Sequence, residues 1–251
     1  MLEISGVTRH FGGVQALSGV DLTIREGGIV GMIGPNGAGK TTLFNCISGV
    51  LQVSTGEIRF KGARIDKMRP DQISSKGLVR TFQIARGFPR LTVLENLLLY
   101  GTDQPGEGLI QALTRSKASL TREKDLLDKA LKTAERLKLS HVLDNKASDL
   151  SGGQKKLLEI GRALMRDPGM LLLDEPMAGV NPSLVREIGD RLVTIAREGV
   201  TIVLIEHQMD LISRLCDHVV VMADGKKMIE GTFDFVASNK EVQNAYMGSR
   251  R

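Results

Sequence analysis

Residues 34–42 read GPNGAGKTT, directly behind the apolar run IVGMI (29–33) and at the head of the helical run TTLFNCISG. A buried strand, a glycine-rich turn and a helix in that order fit G-x-x-x-x-G-K-[ST], and few folds accommodate them. Gly34, Gly37 and Gly39 let the backbone wrap a phosphate without side-chain obstruction, and Pro35, Asn36 and Ala38 complete the loop whose successive amides cradle the anion. Lys40 is placed to reach the β- and γ-phosphates, Thr41 to offer its hydroxyl to Mg²⁺, and Thr42 to assist at the phosphates. The segment predicts a nucleotide site at the carboxyl edge of a mainly parallel sheet.

The rest of the chain supplies such a sheet. IVGMI is joined by MLLLD (170–174), TIVLI (201–205) and HVVVM (218–222), continuous apolar runs separated by helical patterns. Strands of that kind are covered on both faces by helices, which is the α/β arrangement. The N-terminal stretch LEISGVTRHFGG…LSGVDLTI alternates instead, as half-buried antiparallel strands do, and KKMIEG after the turn ADGK returns as a hairpin. From about residue 84 to 150 the character changes. LTVLENLLLY and REKDLLDKALKTAERLKL have helical spacing, with GTDQPGEG as a loop between them. We expect one domain: an α/β core from 1–83 and 151–251 with an antiparallel β part, and an inserted helical subdomain at 84–150. The charged stretch Arg115 to Lys132 reads as a solvated helix face, with contact to a partner as the alternative.

At 251 residues the chain can bury a substantial core. It has no apolar run long enough for a membrane span and no secretory pattern at its start, so a cytoplasmic location is expected. Net charge is a modest +5, and the absence of Trp with only two Tyr argues against a stacking platform for nucleic acid. Cys46 and Cys216 stand far apart in apolar helical contexts, which suits buried thiols in a reducing compartment.

Hydrolysis needs more than a cradle. MLLLDEP ends a central strand in Asp174, suited to hold Mg²⁺ through water. Glu175 follows it, where a carboxylate can orient or deprotonate the attacking water. His207, in TIVLIEHQ, lies just past another buried strand and so faces the same crevice; alone it admits a structural or a catalytic reading. Gln83, in VRTFQ, is an uncharged group able to touch Mg²⁺ and water, or simply a solvated side chain. LSGGQKKLLEIGRAL (150–164) opens on Ser151 as an N-cap. Its glycines expose first-turn amides to an anion, and Leu157, Leu158, Ile160, Gly161 and Leu164 share one buried face, with Lys155, Lys156 and Arg162 pointing elsewhere.

With these pieces in order, the chain resembles the ATP-binding subunit of ABC transporters over essentially its whole length. The matches are the Walker A loop at 34–42, the Q-loop at Gln83, the LSGGQ signature at 150–154, Walker B at 170–175 and the H-loop at His207. The resemblance implies a head-to-tail pair of nucleotide-binding domains. Ser151, Gly152 and Gly153 of one would contact the γ-phosphate of ATP held by the other, while Gln154 orients the loop. The second subunit would be identical or a close relative. It further implies Glu175 as general base, Gln83 as Mg²⁺ and water contact, and His207 as γ-phosphate switch. Phe11 would stack on adenine, although its position also fits a core residue of the first strands. The D-loop departs from the family pattern: AGVN (178–181) replaces Ser-Ala-Leu-Asp, and its Asn-Pro pair suits a helix cap with proline at the first helical position. VRTFQ, LTVLENLL, DEPMAGVNP and the terminal NAYMG resemble the branched-chain amino acid importer ATPases. That branch implies membrane permease subunits docked around Ile84 to Glu95, with Phe88 and Leu91 among the apolar residues there, a solute-binding protein acting through them, and a peripheral place on the inner face of the membrane. A lipid or polysaccharide exporter ATPase and an amide or urea importer are the neighbouring alternatives. A soluble nucleic-acid-linked ATPase and a P-loop kinase fit less well, since the first expects more charge and a kinase has no use for LSGGQ.

Overall fold

The computed structural model describes residues 1–81, 88–101 and 117–248. Gln83 and most of the GTDQPGEG loop lie outside them. The chain divides into two compact units. Met1–Gln83, Gly169–Ala178 and Leu192–Arg251 form the first; Ile84–Pro168 and Gly179–Arg191 form the second.

The first unit is built on two sheets. β1 (Leu2–Phe11) and β2 (Val14–Ile24) pair antiparallel, and β4 (Thr55–Phe60) pairs with the other edge of β1 and carries the short β5 (Ala63–Arg64). Alternation sends Leu2, Ile4, Leu22 and Ile24 into the core, and an irregularity in the β1 register after Ile4 brings Val7 there too. The central sheet runs in the order β10 (Lys226–Gly231), β9 (His218–Ala223), β3 (Ile29–Ile33), β8 (Thr201–Ile205), β7 (Met170–Asp174) and β6 (Leu78–Arg80). All neighbours are parallel except the β9–β10 hairpin. Every residue of β3, β7 and β8 is buried, which explains why these strands carry no polar alternation. The four apolar runs and the hairpin thus stand where the sequence reading placed them, whereas β4, β5 and β6 were not anticipated.

Helix α1 (Lys40–Ile47) follows β3 and packs Leu43, Phe44, Cys46 and Ile47 into the core. α2 (Pro70–Ser75) precedes β6.

The second unit contains α3 (Val93–Leu99), α4 (Lys117–Arg136), α5 (Gly152–Leu164) and the first part of α6 (Pro182–Arg197). Thr92 and Glu95 close a reciprocal capping box at the start of α3. α5 belongs to this unit, although the sequence reading assigned it to the α/β core. The reason is packing: a methyl on Gly161 would come within 2.9 Å of both Leu97 and Leu137, so α5 lies tightly against residues of the helical segment. Its apolar face is as expected, but Arg162 is buried rather than solvated and lies 5.5 Å from the Tyr100 ring centroid. A guanidinium over an aromatic face keeps a favourable partner after losing water, which periodicity alone does not reveal. α7 (Met209–Leu215), α8 (Phe233–Ala237) and α9 (Lys240–Gly248) complete the first unit.

Candidate functional site

Four segments leave the same edge of the central sheet, because β3, β6, β7 and β8 run parallel. The glycine-rich loop follows β3; Asp174 ends β7 with Glu175 next; Glu206 and His207 follow β8; β6 ends at Arg80, three residues before Gln83.

The loop is shaped by backbone close approach. A methyl on Gly34 would sit 2.1 Å from the Met222 carbonyl, and one on Gly39, at φ 95°, would sit 2.7 Å from that of Ala16. Gly39 is the N-cap of α1 and makes no side-chain cap bond, so the first-turn amides are left to an anion. Pro35, Asn36, Gly37 and Ala38 form the turn, with the Ala38 N–H donating to the Pro35 carbonyl at 3.2 Å. Lys40 is only 6 % exposed, and its ammonium donates to the carbonyls of Gly34 (2.7 Å) and Pro35 (3.0 Å), lying across the loop. Burial lowers its pKa, while the charges of Glu175 and Asp174 oppose that shift. Thr41 is exposed and Thr42 half-buried at the head of α1.

Glu175 adopts φ 48°, a left-handed conformation costly for a side chain with a Cβ. Its Oε1 lies 3.0 Å from His207 Nε2, so the two candidate catalytic groups, from different strands, meet directly. Asp174 is buried, and its Oδ2 accepts from Arg80 Nη2 at 2.9 Å. The sequence reading gave no role to Arg80 or to Glu206. Glu206 is buried; its two oxygens accept from the N–H groups of Met177 (2.9 Å) and His207 (3.3 Å). Burial pushes its carboxyl above the ordinary value despite those bonds. Its adjacency to His207 was the only available signal.

Of the three metal contacts expected, two lie among the described residues, the Thr41 hydroxyl and the Asp174 carboxylate, while Gln83 lies outside them. Among the described residues no group of three His, Cys, Asp or Glu gathers as a metal cage. A sparse oxygen set suits Mg²⁺, which completes its shell with water and phosphate oxygens. Phe11 is 43 % exposed at the end of β1, with the Arg9 guanidinium 4.7 Å from its ring centroid. It is therefore a displayed ring and not one of the core residues of the first strands.

In the second unit Ser151 N-caps α5. Its Oγ accepts from the Gln154 N–H at 3.3 Å, and Gln154 Oε1 accepts from the Ser151 N–H at 2.9 Å. Gly153 packs beneath Leu184, whereas a methyl on Gly152 would meet no atom within 4 Å. Asn181 Oδ1 accepts from the Leu184 N–H at 3.0 Å and from the Ser183 hydroxyl at 2.8 Å, ahead of Pro182 at the first helical position. This is the cap that the Asn-Pro pair predicts. Asn96, fully buried, binds the Phe88, Leu91 and Thr92 carbonyls through its amide nitrogen at 2.9–3.2 Å. It thereby fixes a turn that leaves Phe88 47 % exposed. Sequence reasoning missed this clamp, because ENLL reads as uninterrupted helix.

No helix of the described residues is long and apolar enough to cross a membrane. The ABC transporter family model matches residues 17–178. A probable branched-chain amino acid transport ATP-binding protein LivG of Archaeoglobus fulgidus is 39 % identical, with 100 % of this chain and 96 % of that protein covered. The high-affinity branched-chain amino acid transport ATP-binding protein BraF of Pseudomonas aeruginosa is 39 % identical over 99 % of this chain and 98 % of its own. Among solved structures, the ADP conformation of an ATP-binding cassette of an ABC transporter superposes with a TM-score of 0.86 at 39 % identity, covering 99 % and 98 % of the two chains. A family match that spans the loop from its β2 backing to the Glu175 segment, joined to full-length relatives, places the protein in the ABC transporter family.

Proposed function

We propose that the protein is the ATP-hydrolysing subunit of a branched-chain amino acid importer and works as one half of a head-to-tail pair. The observation that carries this reading is the Glu175–His207 contact at 3.0 Å, on the sheet edge that also presents the glycine-rich loop. The loop amides and the α1 terminus hold the phosphates, with Lys40 leaving the Gly34 and Pro35 carbonyls for the β- and γ-phosphate oxygens. Phe11 offers its exposed face to adenine. Glu175 accepts a proton from the attacking water, and His207, hydrogen-bonded to it, holds that carboxylate and the γ-phosphate in line. Thr41 and, through water, Asp174 would hold Mg²⁺, with Gln83 as the family's contact to the metal and water, and the ion would supply charge neutralisation at the phosphates.

Ser151, Gly152 and Gly153 serve the ATP of the second subunit. Gly152 supports this assignment, because neither a left-handed backbone nor a neighbour within its own chain requires glycine there. Gln154, occupied in the capping box, orients the turn. Contacts made only in the closed pair let ATP favour closure, and loss of the γ-phosphate reverses it. Movement passes to permease subunits docked along Ile84–Glu95, of which Phe88–Glu95 are described and Phe88 is an exposed large apolar residue. The subunit thereby sits on the cytoplasmic face of the membrane. The names of the two relatives support branched-chain amino acids as the cargo.

The test is uptake of labelled leucine, isoleucine and valine into vesicles holding the subunit with its permease and binding-protein partners. ATP-dependent uptake that disappears with Glu175→Gln is expected. ATPase activity without uptake of any of the three rejects the cargo assignment, and uptake of an amide or urea instead would name its replacement.

A further inference from the structure

Arg80 is the charged residue of VRTFQ, and the family reading leaves it without a task. It ends β6, its side chain is 7 % exposed, and its guanidinium joins two elements. One arm, Nη2, donates to Asp174 Oδ2 at 2.9 Å; the other, Nη1, donates to Asn45 Oδ1 at 2.6 Å and Ser48 Oγ at 3.2 Å, both on or at the end of α1. The Phe44 ring of the same helix lies 5.8 Å from its central carbon, and Ser48 is itself fixed by a 2.8 Å bond to the Phe44 carbonyl.

Such a pair is poorly explained as a stabilising device, because removing two charges from water offsets much of their attraction. Its geometry explains more. Thr41 stands at the head of α1 and Asp174 at the end of β7, so two of the groups assigned to Mg²⁺ sit on elements that Arg80 joins, through Asn45 at a separation of 35 residues and through Asp174 itself at 94. A planar fork with one arm on each element fixes the angle as well as the distance between them, which a lysine cannot do. With Oδ2 committed to Arg80, Oδ1 is the oxygen that remains to face the metal's water.

We propose that Arg80 is a positioning residue for the metal side of the nucleotide site: it braces α1 against β7, so that Thr41 and Asp174 are presented to Mg²⁺ at a set separation and orientation. This rests on the nucleotide and Mg²⁺ assignments above. It predicts that Arg80 governs how strongly the divalent ion binds to the nucleotide-loaded subunit, without governing how the nucleotide binds alone.

The experiment measures Mn²⁺ affinity by electron paramagnetic resonance at saturating ADP, and separately ADP affinity in EDTA, for the isolated full-length chain. Outer partners of metal ligands typically change metal affinity by about 10–100-fold, so Arg80→Met should weaken Mn²⁺ binding by roughly tenfold or more with metal-free ADP affinity unchanged. Arg80→Lys keeps the charge without the fork and should fall between; Asn45→Ala cuts the α1 arm alone and should weaken Mn²⁺ in the same direction. Either of these serves if Arg80→Met does not fold. Unchanged Mn²⁺ affinity, tighter Mn²⁺ binding, or a parallel loss of metal-free ADP affinity would each overturn the proposal. Failure of the wild-type chain to bind ADP at all would instead reject the nucleotide reading beneath it.

Discussion

Glu175 combines the base proposed for hydrolysis with a left-handed backbone at φ 48°. A non-glycine residue there stores strain on the order of 1–3 kcal/mol, more than the roughly 0.5–1 kcal/mol entropic cost of glycine. Glu175→Gly should therefore melt above Glu175→Ala, although both abolish hydrolysis; equal melting temperatures would show that the conformation is unstrained. Glu175→Gln should keep ATP affinity and lose about 10²–10⁴-fold in turnover, as removal of a general base does. Glu206 gives a pH signature. Its carboxyl ionises near the ordinary 4.5 in the unfolded chain and at higher pH when folded, so the folded state holds more protons between the two values. Stability then falls as pH rises from 4.5 through the raised value. Glu206→Gln removes that titration, and its melting temperature relative to wild type should climb across the same window; a flat difference would contradict the assignment. The thiols provide a third check. Burial pushes Cys46 up to about 11 and Cys216 to about 12, the latter aided by Asp217 and Glu206. Neither should alkylate at pH 8 until the protein unfolds.

At the scale of elements, legibility followed burial pattern. β3, β7 and β8 are five-residue runs covered on both faces, so hydrophobicity alone located them and with them the residues that follow. β6 escaped because it has three residues and ends in an arginine, whose partner Asp174 lies 94 positions away. No window along the chain contains that information. The same holds for Arg162, where a periodic pattern assigns a charge to the solvent face and the Tyr100 ring receives it. Phe11 was legible as an aromatic at a strand end, but that it is exposed and not part of the core is shown only by the structure. Asn181 was fully legible, since an N-cap and its following proline are local chemistry. The glycine loop belongs to this scale too. Gly34→Ala should destabilise the protein severely, because the new methyl would overlap the Met222 carbonyl of β9, a backbone atom fixed in the sheet. A melting temperature near wild type would mean the loop can retreat from β9.

For the whole molecule, a head-to-tail pair requires that each ATP be completed by α5 of a second subunit. Gly152→Ala separates this from stability: the side chain has open space in its own chain, so melting should not fall, yet ATPase activity should. Complementation in a mixed pair tests the shared site directly. Lys40→Ala disables one subunit's loop, and Gly152→Asp disables the other's α5. In a head-to-tail pair the mixed dimer has one site with both defects and one site with neither. Each variant alone should be inactive, and mixing them should restore ATP hydrolysis to about a quarter of the wild-type rate, half the dimers being mixed with one intact site each. Activity that stays at the level of the separate variants, with mixed dimers demonstrably present, would contradict the shared site and the transport cycle built on it.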